Sequence, residues 1–139
     1  MELNNTTQYA IRIVNYINKH SSNERLYSAR VLAENLDINY KFLTSIMTKL
    51  VKAEILTSVR GKEGGFKLAK DSDTIYLMDI IELFDESLQK DACILGIEKE
   101  CNEKKRCFMH DKWKKPKKEI YELFEGTSLA DIKMSGEKF

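Results

Sequence analysis

The spacing of apolar residues divides the chain into short helical segments, one β-rich stretch and one long irregular stretch. Ala10, Ile13, Val14 and Ile17 recur at i, i+3, i+4 and i+7, which puts them on one face of a helix, with Thr6 or Thr7 available to cap it. The polar run from His20 to Arg25 ends that pattern. Ser28 can cap a second, short helix carrying Val31, Leu32 and Leu36. After the tight connection Asp37-Ile38-Asn39, Asn39 can cap a third helix, whose stripe of Leu43, Ile46, Met47, Leu50 and Val51 is the cleanest amphipathic pattern in the chain. Ile55 to Val59 is β-rich and Phe66-Lys67-Leu68 alternates apolar and polar. Between them Arg60-Gly61-Lys62-Glu63-Gly64-Gly65 forms a six-residue projecting turn, so the pair reads as a hairpin. Asp73 or Thr74 is expected to start a fourth helix with Leu77, Ile80, Ile81 and Phe84 on one face. Residues 86–107 lose this regularity and read as a loop. Trp113, Ile120, Leu123 and Phe124 mark a C-terminal helix, with Pro116 in its first turn or kinking it. Gly126 can end that helix, and Ser128 with Asp131 makes a capping box for a last short helix carrying Leu129 and Ile132.

Three helices followed by a hairpin, within the first 70 residues, is the order of a winged helix-turn-helix in a mainly α protein. At 139 residues the chain has the length of one domain. Charge changes the picture, although the net value of +1 is uninformative. Residues 41–70 carry seven Lys or Arg against Glu54 and Glu63, a local +5, whereas residues 71–103 carry ten Asp or Glu against Lys90 and Lys99, a local −8. The basic segment coincides with the third helix and the hairpin, where it can attract phosphate. Opposite its apolar stripe, the third helix carries Tyr40, Lys41, Thr44, Ser45, Thr48 and Lys49. Its first residues, Tyr40, Lys41, Thr44 and Ser45, are expected to meet base edges, while Lys49 and Lys52 are expected on the DNA backbone. Arg60 at the hairpin turn suits a narrow minor groove. Ser28 and Lys62 complete the candidate DNA-contacting set. A winged helix used only for packing or for protein binding is the competing reading of the same fold.

The three cysteines lie close together as Cys93-x7-Cys101-x5-Cys107-x2-His110. Three thiolates and an imidazole within 18 residues of polar loop make a set of soft and borderline ligands suited to an iron–sulfur cluster or to zinc. Lys104, Lys105 and Arg106 can offset thiolate charge. Unrelated free thiols, with His110 capping the next helix, are the alternative. An odd number of cysteines argues against a disulfide framework.

With these residues in place the chain resembles the IscR/NsrR family of winged-helix transcription regulators, from Tyr9-Ala10-Ile11-Arg12 to Ser128-Leu129-Ala130-Asp131-Ile132. The most specific stretches are Ser58-Val59-Arg60-Gly61 with Gly64-Gly65-Phe66, and the three-cysteine loop before the last long helix. The resemblance implies a homodimer on double-stranded operator DNA, with the long C-terminal helix as the dimerisation helix. It also implies a cluster on Cys93, Cys101 and Cys107, with His110 as fourth ligand in the IscR-type [2Fe-2S] pattern. Two departures stand out. The first cysteine gap is seven residues where the family usually has five, and Gln8 stands near the place where NsrR-type members use an Asp to ligate a [4Fe-4S] cluster. Thr44 stands where IscR has a glutamate that helps to discriminate DNA sites.

The expected organisation is a winged helix-turn-helix over residues 1–85, a cluster-binding loop over 86–110, and a dimerisation helix with tail over 111–139. The expected function is a cytoplasmic, redox-responsive repressor-type regulator whose operator binding depends on its iron–sulfur cluster. Alternatives of the same fold are an NsrR-like [4Fe-4S] nitric-oxide sensor, a cluster-free sensor of thiols or of a protein partner, and a zinc-bound regulator. No Ser/His/Asp set, P-loop or G-x-G-x-x-G fingerprint supports an enzyme. No apolar run reaches membrane-spanning length, and the N-terminus lacks the pattern of a secretory signal.

Overall fold

In the computed structural model, which describes residues 2–20, 26–89, 91–97 and 102–134, the first helix begins where a side chain replaces a missing helical acceptor. Asn4, in extended conformation, accepts from the Thr7 backbone N–H at 2.8 Å and caps α1 (Asn5–Lys19). The cap is therefore Asn4 and not the expected Thr6 or Thr7. Asn4 is also tied down from outside the helix, because its Nδ2 donates to the Phe84 carbonyl at 2.7 Å. The other two caps of the head follow expectation. Ser28 accepts from Val31 N–H to start α2 (Ala29–Leu36), and Asn39 accepts from Phe42 N–H to start α3 (Tyr40–Lys52). The turn between them is tight because Asp37 adopts a left-handed conformation (φ 52°, ψ 50°).

α1 packs against both α2 and α3, and also against the later helices Leu77–Phe84 and Leu129–Met134. Its predicted stripe is fully buried, as are Leu32 of α2 and Leu43, Ile46 and Leu50 of α3. After α3 the chain forms an antiparallel hairpin of β1 (Leu56–Val59) and β2 (Gly65–Leu68), with Leu56 opposite Leu68 and Val59 opposite Gly65. Gly65 joins the strand, so the turn is residues 60–64, one residue shorter than expected. The free edge of β2 is covered by Tyr27, which exchanges two backbone hydrogen bonds with Phe66, at 3.1 and 2.8 Å. That bridge welds the wing to the segment entering α2.

The fourth helix starts later than its sequence suggests. A short 3-10 turn occupies Ser72–Thr74, and α4 spans Leu77–Phe84. The intervening Ile75 and Tyr76 are held extended by a distant segment, because Leu77 N–H donates to Thr127 and Leu129 N–H donates to Ile75, each at 2.9 Å. A second 3-10 turn covers Glu86–Leu88. α5 (His110–Glu125) runs through Pro116, its seventh residue, so the proline lies beyond the first turn. The exposed Lys112 carbonyl that loses its donor there can be met by water. α6 (Leu129–Met134) is capped as expected, with Ser128 N–H donating to Asp131 and Asp131 N–H to Ser128 Oγ. Its Leu129 is fully buried, and the buried Asn18 of α1 donates to the Leu129 carbonyl at 3.0 Å. Among the described residues no helix is long and apolar enough to cross a membrane.

Candidate nucleic-acid interface and cysteine loop

The face of α3 away from the core is polar, and it is held up by its neighbours. Tyr40, Lys41, Ser45, Thr48 and Lys49 are exposed and Thr44 is half-buried. The three hydroxyls point their hydrogens inward: Thr44 donates to Lys41 O at 2.9 Å, Ser45 to Phe42 O at 2.7 Å, and Thr48 to Thr44 O at 2.9 Å. Their oxygens keep lone pairs for an incoming donor. Lys49, expected on the DNA backbone, places its ammonium 5.5 Å from the centre of the Phe84 ring, at the end of α4. Ser28 is half-buried and its Oγ serves the α2 cap, which restricts it as a surface contact.

A groove of about 400 Å³ separates α3 from the wing, lined by Thr44, Thr48, Lys52 and Ser58 over Met47, Val51 and Phe66. Arg60 and Lys62 are exposed at the wing turn. The turn can close because a Cβ on Gly64 would lie 2.1 Å from the Val59 carbonyl oxygen. One positioning residue escaped the sequence reading. Arg12 of α1 donates to the Leu36 carbonyl at 3.2 Å, at the C-terminal end of α2, and its guanidinium stands 5.6 Å from the Tyr9 ring. Tyr9 in turn meets Phe42 of α3 edge-on. Arg12 thus joins the three helices of the head where the α2 dipole favours a cation. A lone Arg beside the apolar stripe of the first helix was the available signal.

The cysteine loop is tied to α5 by charge. Cys93 and Cys107 are half-buried, and Cys101 lies outside the described residues. His110 is the first residue of α5 and only 7 % exposed. Its Nε2 is 3.5 Å from Glu103, which also accepts from Lys114 at 3.1 Å and pairs with Arg106. Asn102 accepts from the N–H groups of Lys104 and Lys105, which shapes the turn presenting Glu103. Next to Cys93, the Ala92 carbonyl accepts from Lys117 at 2.9 Å. Two half-buried cysteines and a shielded imidazole fit a cluster or zinc by donor chemistry. Among the described residues, however, no three Cys, His, Asp or Glu side chains converge as a metal-holding group. Arg106, expected to offset thiolate charge, is paired with Glu103 and Asp111. Gln8, at the alternative ligand position, donates to Leu3 O at 2.6 Å.

α5 itself has an uneven charge distribution. Lys112, Lys114, Lys115, Lys117 and Lys118 lie in its first nine residues, beside Asp111, and Glu119, Glu122 and Glu125 in its last seven. Tyr121 donates to Glu82 of α4 at 3.2 Å. Burial, and then the negative charge of Glu82, push its phenol up to about 12 from 10.0. Leu123, expected on the apolar face, is 61 % exposed.

Residues 3–134 match the model of the Rrf2 family, described as "Iron-dependent Transcriptional regulator". The transcriptional regulator IscR of Sodalis glossinidius is 30 % identical over 132 residues, which cover 95 % of this chain and 78 % of that protein. The solved structure of T. potens IscR superposes with a TM-score of 0.75 at 25 % identity, covering 99 % of this chain and 90 % of the other. CymR, the global cysteine regulator of B. subtilis, shares the fold with a TM-score of 0.80 at 19 % identity, covering 99 % of each chain. The chain belongs to the Rrf2 family and is a DNA-binding transcription regulator, not an enzyme.

Proposed function

We propose that the protein is a cytoplasmic homodimer whose hold on operator DNA is controlled by an iron–sulfur cluster on Cys93, Cys101, Cys107 and His110, of [2Fe-2S] type. The observation that carries this reading is the pair of half-buried cysteines, Cys93 and Cys107, in the segment that ends at the shielded His110. The family's description as iron-dependent transcriptional regulators agrees with it. When bound, the cluster supplies a redox- and iron-sensitive crosslink between the loop and the first turn of α5. The protein's own part is to present the donors. Lys117 anchors the backbone next to Cys93, and Glu103 sits against His110 Nε2. On the output side, Tyr40, Lys41, Thr44, Ser45 and Thr48 face the major groove, Lys49 and Lys62 the backbone, and Arg60 the minor groove, with Ser28 at the edge of the contact.

The charge order of α5 supports pairing with a second copy. A basic first half and an acidic second half oppose the helix's own dipole and place like charges one turn apart, so the order is unfavourable within one helix. Antiparallel apposition with the same helix brings each basic half against an acidic half, with the exposed Leu123 available for burial.

The test is anaerobic purification of the full chain with absorption spectra, iron and sulfide analysis, and sedimentation. A brown dimer with about two iron and two sulfide per chain is expected. Changing Cys93, Cys101 and Cys107 to Ala should remove the colour and change operator affinity. Colourless protein with stoichiometric zinc, or operator binding indifferent to all three changes, would overturn the cluster control.

A further inference from the structure

The outer face of α3 has an uncommon chemistry for a helix that reads base edges. Over Tyr40–Lys52 it contains no Arg, Asn, Gln, Asp or Glu. Together with Lys, which the helix has as Lys41, Lys49 and Lys52 but not on its Tyr40–Thr44–Thr48 ridge, these are the side chains that pair with guanine or adenine, or accept from cytosine. Asn39 stands at the threshold, but its Oδ1 holds the Phe42 N–H and so its amide is not free for a two-point contact with adenine. What remains is a row of Tyr40, Thr44 and Thr48 at i, i+4 and i+8, which is one ridge of the helix. The ridge offers an aromatic ring and two γ-methyls. Both threonine hydroxyls donate inward, to Lys41 O and Thr44 O, so outward their oxygens can only accept.

An acceptor beside an apolar group is the complement of an A·T pair in the major groove, which shows the adenine N6 amino donor and the thymine C5-methyl side by side. A G·C pair offers the cytosine amino donor but no methyl. We propose that α3 selects A·T pairs by packing the Tyr40–Thr44–Thr48 ridge against thymine methyl groups, with Thr44 as the central specificity residue. Lys49 and Lys62 then supply backbone affinity without sequence preference. This inference rests on the DNA-binding reading and is independent of the cluster.

The experiment selects duplexes from a random pool with the anaerobically prepared full chain, in cluster-loaded and cluster-free forms at constant salt. Each thymine of the best duplex is then replaced by uracil, which removes only the methyl, and each guanine by 7-deazaguanine. Half-sites rich in A·T are expected, with a loss of about fourfold at each thymine whose methyl is buried. Thr44→Ser keeps the hydroxyl and should remove the uracil effect at one position, whereas Thr44→Val should retain it. Uracil replacement without effect, a larger loss from 7-deazaguanine, or full uracil sensitivity in Thr44→Ser would each overturn the proposal. If neither form enriches any duplex, the DNA-binding reading fails and this proposal with it; enrichment with uracil indifference overturns the methyl contact alone.

Discussion

Gly65→Ala should loosen the wing from the head. A Cβ at this position would lie 2.7 Å from both the carbonyl carbon and oxygen of Tyr27, and 3.0 Å from its nitrogen. All three are backbone atoms, so no side-chain rotation relieves the clash. Tyr27 must move, and it is the partner in the two hydrogen bonds that seal the edge of β2. At roughly 1 kcal/mol net for each bond, their loss is worth about 2 kcal/mol. With an unfolding entropy of about 2.1 cal/mol/K per residue, a chain of 139 residues should melt about 7 °C lower. Operator binding should weaken as well. The wing that carries Arg60 and Lys62 loses its anchor, so the salt dependence of binding should flatten by about one phosphate contact. Gly61→Ala is the control. There a Cβ meets nothing within 4 Å, and the penalty comes only from the backbone conformation, φ 123°. Calorimetry and titrations of DNA across salt concentrations read both effects. If Gly65→Ala melts within about 1 °C of the parent and keeps the parent's salt slope, the Tyr27 bridge does not anchor the wing.

Three further outcomes follow from single contacts. Ser128→Ala removes the acceptor of the Asp131 N–H at the start of α6 and should lower stability by about 1 kcal/mol in urea unfolding. Asp37→Gly relieves a left-handed residue at the end of α2 and should raise stability by about 0.5–1 kcal/mol, read in the same assay. The Tyr121 phenol, at about 12 against 10.0, binds its proton more tightly in the folded state. Its contribution is therefore complete below pH 10 and lost as pH rises towards 12. Tyr121→Phe should flatten that alkaline loss when unfolding midpoints are compared across the window.

The head was legible wherever a local signal decided the structure. Asn39 followed by the stripe from Leu43 to Leu50 gives the start and the face of α3, and Ser128 with Asp131 gives the start of α6; the structure has both. Where a distant partner decided, the sequence misled. Asn4 wins over Thr6 and Thr7 because the Phe84 carbonyl and the Asp85 carboxylate, more than 75 residues away, hold it. α4 waits for Leu77 because residues 127–129 hold Ile75 and Tyr76 extended. The cysteine loop was legible as chemistry but not as geometry. Its order comes from ion pairs such as Glu103 with Lys114, which leave no periodicity in the sequence. Cys101, one of its four expected donors, falls outside the described residues.

Both ends of that loop return to one short helix, and this limits how a signal can reach DNA. The loop leaves from the end of α4, and α5, where it finishes, packs back on α4 with Tyr121 bonded to Glu82. The last residues of α4 are also where the head is attached. Phe84 lies under the Lys49 ammonium of α3 and accepts from Asn4, while the buried Asp85 accepts from the Asn4 N–H. A shift at this end must either carry α3 along or break these contacts. With the exposed Lys49 over the half-buried Phe84 ring, the cation–ring contact is worth about 1 kcal/mol, and an ordinary hydrogen bond about 1 kcal/mol. The joint is therefore held by a few kcal/mol, the same scale as the 1–3 kcal/mol typical of coupling between two binding sites. A much stronger joint would resist any ligand-driven change in the loop, and a much weaker one would let α3 drift whatever the loop did. Lys49 thus does more in this fold than a surface charge awaiting phosphate, because it ties the DNA-reading helix to the helix from which the cysteine loop departs.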